Sequence, residues 1–264
     1  MTIPKSLQEI AGTEKATIFV GPNKVEFKVL KNIICQASDF FSAAFQDGFQ
    51  ESTLGSIHMP EDDPVTFQRF LSWVYGRKLP QSKGTTGQKL LYDLYILAEK
   101  LCMNDLANKT MDRIRESHEN TFTTSGATDR NLKHVGDIFD RTAQSSPLRD
   151  FMLYIMVHDI YYAASKARQG GLLISREDLM EIWNIGQDHP EFYEEFFARL
   201  LRIGPVQSQA RRPKREDALA EVRDFLYSGT RCIFHKHSVG ELCYLEEDKG
   251  DAAMLLEQTS STAD

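Results

Sequence analysis

The chain has no long hydrophobic run and no excess of positive charge, and each absence argues against one class of binding partner. Charged residues interrupt its apolar stretches well before the roughly 18 to 20 apolar residues that a membrane helix needs. Its formal net charge of −7 leaves no sequence-wide positive field for phosphates or anionic lipid headgroups. We therefore expect neither nucleic acid nor a membrane as its partner.

Cysteine is also scarce. Four cysteines in 264 residues are too few for a disulfide framework, and Cys35 and Cys102 are isolated in the sequence. Residues 1–13 contain one lysine and no apolar core, so they do not resemble a secretory signal. These features predict a protein of a reducing compartment, the cytoplasm, the nucleus or both.

Motifs that commonly carry catalysis are missing as well. The sequence has no G-x-S-x-G elbow, no phosphate-binding glycine loop, no H-E-x-x-H pattern and no kinase signature. His158 and Asp159 are neighbours on a predicted helix, where adjacent side chains diverge, so they predict no catalytic dyad. We therefore expect that the protein is not an enzyme.

The first half of the chain has the pattern of a mixed α and β domain. Thr17 and Phe19 alternate with their neighbours in one predicted strand over 17–21, and Val25, Phe27 and Val29 do so in a second over 24–29. The turn residues between them, Gly21-Pro22-Asn23, predict a β-hairpin. Short helical patterns follow at 31–36 and 39–46, the second with Ser38 as its N-cap. A third strand is predicted at 56–59.

Helical periodicity dominates the rest of the chain. A helix is predicted from Pro64 onward, a largely buried one at 88–101, and a third at 105–117. After a polar stretch, further helices are expected around Leu148, near 176–185, behind Pro190 and at 215–226.

The residues of the first part resemble a BTB/POZ domain. The resemblance rests on FKVLK at 27–31, SDFF at 38–41, MPED at 59–62, WVYG at 73–76 and LYILAEKL at 94–101. It implies an α+β fold, a short β-sheet flanked by helices, followed here by an all-helical C-terminal region. It also implies a module that binds other proteins or itself.

The later helices resemble an extension found in BTB proteins of filamentous fungi, beginning at Ser145-Ser146-Pro147-Leu148. Two positions depart from the family pattern: Leu30 stands where histidine is usual, and Lys15 falls where an aspartate precedes the first strand. Repressor-type members use those polar positions to recruit co-repressors, so that role is not carried over. Dimerisation stays open.

Phe49-Gln50-Glu51 matches the hydrophobic-x-Glu pattern with which cullin-binding BTB proteins dock the scaffold of a ubiquitin ligase. An exposed aromatic residue beside a carboxylate is a reasonable binding hot spot, because it buries a large area and loses few rotamers. The alternative is that Phe49 covers the domain's own core while Glu51 is solvated. We select Phe49 and Glu51 as candidate partner-binding residues.

Four residues near the carboxyl end form a C-x2-H-x-H-x5-C pattern: Cys232, His235, His237 and Cys243. If residues 233–237 are extended, His235 and His237 lie on one face, and Val239-Gly240 can turn the chain so that Cys243 returns. Two thiolates and two imidazoles would form a closed, structural Zn²⁺ site. The alternative is a pair of reduced cysteines with two surface histidines.

These observations predict a short leader at 1–15, a BTB/POZ domain at 16–118, a linker at 119–130, a helical extension at 131–227, a Cys/His segment at 228–250 and a tail at 251–264. The basic run at 211–215 is either a nuclear import signal or a solvated linker. The function we expect is that of an adaptor linking a partner protein to a cullin-type ubiquitin ligase. A BTB scaffold without a ligase role, or a metal-dependent enzyme, are the alternatives.

Overall fold

The computed structural model describes residues 12–45, 54–81, 84–125, 132–166, 175–203, 232–238, 241 and 243–244. Several predicted features lie outside these residues: Phe49 and Glu51, the basic run at 211–215, the helix at 215–226 and the tail. By its internal contacts the chain divides into two compact units, residues 1–114 and 115–264.

A small mixed sheet organises the first unit. Strands β1 (Lys15–Val20) and β2 (Val25–Leu30) are antiparallel, and β3 (Ser56–Met59) lies parallel to β1 on its other side. The hairpin turns at Gly21, whose φ of 77° is accessible to glycine without strain. The predicted hairpin and third strand are confirmed, and the hairpin strands are displaced by one or two residues from their predicted ends.

Burial along β1 has a different phase from the predicted alternation. The deeply buried side chains are Ala16, Ile18 and Val20, whereas Thr17 and Phe19 are partly exposed. β1 is the central strand, and Phe19 alternates with the buried residues on the opposite face. The size of an aromatic side chain therefore did not indicate which face of the strand is covered.

Helices cover the sheet in the first unit. They are α1 (Lys31–Ala37), α2 (Asp39–Ala44), α3 (Pro64–Gly76), α4 (Gly84–Lys100) and α5 (Asn104–Ser125), the last of which continues into the second unit. Phe41, Phe67 and Phe70 are fully buried, with ring centroids 5.1 Å apart for Phe67–Phe70 and 6.0 Å for Phe41–Phe70. This aromatic cluster, together with α4, forms the core, and residues 91–98 are all buried as the sequence predicted.

Ser38 fixes the start of α2. As N-cap its side chain accepts a hydrogen bond from the Phe41 amide at 3.4 Å, as predicted, and its hydroxyl donates to the Leu101 carbonyl at 2.7 Å. The residue is almost completely buried. One serine therefore caps a helix and ties it to the end of α4.

Helix α5 runs to Ser125, whereas the sequence analysis placed a linker at 119–130. Residues 119–125 are therefore helical, because a run of Thr, Ser and Asn is compatible with a helix that has already been nucleated upstream. Residues 126–130 lie outside the described part, and the domain limits themselves stay a proposal.

Most described residues of the second unit are helical. Besides the end of α5 the unit contains α6 (Leu132–Arg141), α7 (Pro147–Lys166), α8 (Arg176–Asp188) and α9 (Pro190–Ile203). Phe139 and Phe192 meet edge-on in its core with ring centroids 5.5 Å apart. The buried guanidinium of Arg149 stacks 4.5 Å above Phe139 and donates to the Phe139 carbonyl, so charge and packing both hold α6 against α7. None of the described helices has the length and apolar content to cross a bilayer.

Candidate functional site

The four residues of the Cys/His pattern meet at one point in the second unit. One ligand atom from each of Cys232, His235, His237 and Cys243 lies within 4.8 Å of the other three. Cys232 Sγ is 2.8 Å from His237 Nε2, and His235 Nδ1 is 3.3 Å from Cys243 Sγ. Side chains up to eleven positions apart in sequence therefore converge on a single centre.

A tight turn at 233–234 replaces the start of the extended segment considered above, while Val239 and Gly240 lie outside the described residues. The His235 amide donates to the Cys232 carbonyl at 3.1 Å, so the chain reverses between these two residues. A second turn follows, in which the Glu241 amide donates to the Ser238 carbonyl and the Glu241 carboxylate accepts from the Ser238 amide. The first turn thus brings Cys232 next to the two histidines.

Phe234 anchors this segment to the helical unit. Its ring is 2% exposed and meets Phe151 edge-on at 5.3 Å and Tyr154 at 6.2 Å, while the Arg115 guanidinium lies 5.8 Å from the ring centroid. No role was predicted for Phe234 from the sequence. Its anchoring depends on Phe151 and Tyr154, which are distant in sequence, so no local signal indicates it.

The donor set is chemically suited to zinc. Four Zn²⁺ ligands at distances of about 2.0–2.3 Å would be separated from one another by roughly 3.3–3.8 Å, and the two measured separations and the 4.8 Å limit are close to that range. Cys243 and His235 are buried, Cys232 and His237 are half-buried, and Tyr244 stacks on His235 with centroids 5.3 Å apart. The arrangement is compatible with a closed tetrahedral site.

The other two candidate residues, Phe49 and Glu51, lie outside the described residues. In sequence they fall between the end of α2 at Ala44 and the start of β3 at Ser56. Phe45, directly after α2, is buried and stacks on Phe41 with centroids 6.5 Å apart. Whether Phe49 covers the core or faces a partner therefore stays a prediction.

His158 and Asp159 are closer than adjacent helical positions suggest. His158 Nδ1 is 3.4 Å from Asp159 Oδ1, and the two residues are only 1% and 8% exposed. Since both are buried within α7, the pair can satisfy polar groups inside the unit.

A comparison with known families agrees with the architecture of the first unit. Residues 14–118, from the start of β1 into α5, match the family model of the BTB/POZ domain. This part of the chain is a BTB domain. No curated protein matches the chain. BTB domains are protein–protein interaction modules that often self-associate, so the match implies an interaction module over residues 14–118.

Proposed function

We propose that this protein is an adaptor that brings a partner protein to a cullin-type ubiquitin ligase. The observation that carries the proposal is the position of Phe49-Gln50-Glu51 within the BTB domain, in the connection between α2 and β3. In cullin-binding BTB proteins a hydrophobic-x-Glu pattern on a loop docks the cullin. Phe49 would bury its ring against the cullin while Glu51 pairs with a polar or basic group at the rim.

The proposed adaptor would act in the cytoplasm, the nucleus or both. A BTB scaffold that assembles a regulatory complex without a cullin is the second candidate, because self-association and partner binding need no ligase. A metal-dependent enzyme would require an open coordination position and a nearby general base. A centre with four protein ligands counts against that third reading.

Affinity purification from the native cell, followed by mass spectrometry, separates the first two candidates. The adaptor proposal predicts a cullin among the proteins that co-purify with wild-type chain. The cullin should be lost from the double variant Phe49→Ala, Glu51→Ala and kept by Val65→Ala, which changes an exposed apolar residue elsewhere in the BTB domain. The scaffold would be favoured if partner proteins co-purify with the wild-type chain and with both variants while no cullin is recovered from any of the three.

We also propose that Cys232, His235, His237 and Cys243 bind one structural Zn²⁺. The support is the convergence of two thiol and two imidazole groups within 4.8 Å, in a segment whose large buried side chain is Phe234. Zinc would supply the cross-link that packing alone does not provide, and the four protein ligands would leave no position for a substrate.

Elemental analysis of protein purified without an affinity tag tests this proposal. Wild-type chain should carry about one equivalent of zinc, as one four-ligand site requires. Cys232→Ser should lose the metal, whereas Cys35→Ser, which removes a half-buried thiol from the BTB domain, should keep it. Wild-type protein that holds only traces of zinc even after zinc addition would overturn the proposal.

A further inference from the structure

A continuous apolar surface lies on the outside of the helix pair α8 and α9. Trp183 is 56% exposed, Phe197 49% and Leu201 78%, and Leu179 and Met180 are each about half exposed. Isolated exposed apolar residues are normal on a protein surface, but a contiguous group of large ones indicates an interaction site. We call this surface the α8–α9 face; it consists of Leu179, Met180, Trp183, Tyr193, Phe197 and Leu201.

These side chains are not needed for the core of their own unit. The inward sides of the two helices are occupied by other residues, Ile185 on α8 and Phe192 and Phe196 on α9, all of them buried. Phe192 and Phe196 stack with centroids 5.5 Å apart. The helix pair therefore has one apolar stripe that it buries and a second that it leaves exposed.

The exposed stripe is held in place by contacts within the helix pair. Tyr193 connects the two helices: its ring centroid lies 6.3 Å from that of Trp183 and 6.2 Å from that of Phe197. Its hydroxyl also donates to the Trp183 carbonyl at 3.0 Å. Beneath the ring is Gly186, where an added Cβ would lie 2.0 Å from the Tyr193 ring. A surface fixed in this way loses little side-chain entropy when a partner binds.

The charges around this face indicate the kind of partner. Helices α8 and α9 carry seven carboxylates against three arginines, a formal net charge of −4. One of those arginines, Arg199, is already paired with Asp150 and Glu195. Glu177 lies one turn before Met180 on α8, Glu194 lies one turn before Phe197 on α9, and both glutamates are exposed. The apolar stripe is therefore bordered by negative charge.

We propose that the α8–α9 face binds a basic amphipathic helix of a partner protein. Apolar side chains spaced one helical turn apart would pack on Trp183 and Phe197, and lysines or arginines at the helix edges would pair with Glu177 and Glu194. A second copy of the face brings the same net charge of −4 and would be repelled. Residues 215–226 of this chain carry four carboxylates and two arginines, so they complement the face poorly.

The full chain can be tested with a defined probe, the fluorescein-labelled peptide LKKLLKLLKKLLKL, by fluorescence anisotropy. The proposal predicts saturable binding of this peptide. It predicts no binding of a control peptide in which glutamate replaces every lysine. Trp183→Ala should weaken binding at least tenfold, as loss of an interface hot spot does. Glu177→Gln with Glu194→Gln should weaken it and reduce its salt dependence. Val65→Ala, at an exposed apolar residue on α3, should leave it unchanged.

Intrinsic fluorescence gives a second readout on the same samples. The chain has two tryptophans, of which Trp73 is 6% exposed and Trp183 56%, so a blue shift of emission on peptide binding reports the face. Equal binding by Trp183→Ala or by the glutamate peptide would overturn the proposal. The proposal would also be overturned if the wild-type chain forms a dimer that Trp183→Ala dissociates, because the face would then bind a second copy. If iodide does not quench the fluorescence of Trp183 in the free chain, a segment of this chain covers the face and the proposal is overturned.

Discussion

Removal of the proposed zinc should release the Cys/His segment from the helical unit and leave the BTB domain folded. The perturbation is either a chelator or the single change Cys232→Ser. Because Cys232 and His237 are half-buried, a chelator can reach the metal without global unfolding. The serine hydroxyl is nearly the same size as the thiol, so Cys232→Ser removes a ligand with little change in packing.

The magnitude follows from what holds the segment in place. Ordering its ten described residues, 232–238, 241, 243 and 244, costs about 10–20 kcal/mol of backbone conformational entropy. Burial of Phe234 contributes about 1.5–3 kcal/mol, and its two aromatic contacts add about 0.5–1.5 kcal/mol each. The shortfall of about 10 kcal/mol is comparable with the roughly 10–16 kcal/mol of structural zinc sites.

Hydrogen exchange measured by mass spectrometry reads this effect directly. Peptides covering 232–244 should be protected in the zinc-loaded chain and should exchange at the rate of an unfolded segment after chelation or in Cys232→Ser. Peptides from β1 to α4 should not change, because those elements belong to the first unit. Cys35→Ser serves as the matched cysteine control.

Two results would refute the reasoning. If residues 232–244 keep their protection after zinc has been removed, packing around Phe234 suffices and the entropy argument is wrong. If protection is lost equally in the BTB domain, the segment is not a separate element. Phe234→Ala supplies a further check, because it should reduce protection by about 3–5 kcal/mol even with zinc bound.

Three further predictions concern the BTB domain. Ser38→Ala should destabilise the domain by about 2–4 kcal/mol, because the change removes the cap of α2 and leaves the Leu101 carbonyl unpaired. Ser38→Thr should retain most of the stability. Urea unfolding, followed by the fluorescence of Trp73 in a Trp183→Phe background, measures both effects. Burial raises the pKa of the Cys35 thiol, so its alkylation by iodoacetamide at pH 8 should be slower in the folded than in the unfolded chain, and equal rates would contradict the assignment. A fragment of residues 1–118 should unfold cooperatively by itself, and a fragment without a transition would mean that later helices complete its core.

Local signals in the sequence predicted much of the BTB domain. The turn at Gly21, the cap at Ser38 and Pro64 at the first turn of α3 each act within a few residues, so they can be read without knowing the fold. Predictions that depended on distant residues were less accurate. The buried face of β1 is set by what packs on the sheet, and α5 continues through polar residues because its earlier turns are already formed.

The candidate sites show the same division. The spacing of Cys232, His235, His237 and Cys243 indicated the cluster, but the turn between Cys232 and His235 came from the structure. The anchoring of Phe234 depends on Phe151 and Tyr154, more than seventy positions away, and had no local signal. Similarly, a helix behind Pro190 was predicted from the sequence, while the exposed stripe at Trp183 and Phe197 became apparent only with the two helices paired.

The central proposal, that this BTB domain recruits a cullin, is tested most directly by titrating the purified chain against the purified amino-terminal region of a cullin and measuring Kd. The account predicts measurable binding by the wild-type chain. It also predicts that Phe49→Ala with Glu51→Ala costs on the order of 2 kcal/mol, roughly a 30-fold increase in Kd, while the unfolding transition is unchanged. A wild-type chain that is folded and shows no cullin binding would contradict it.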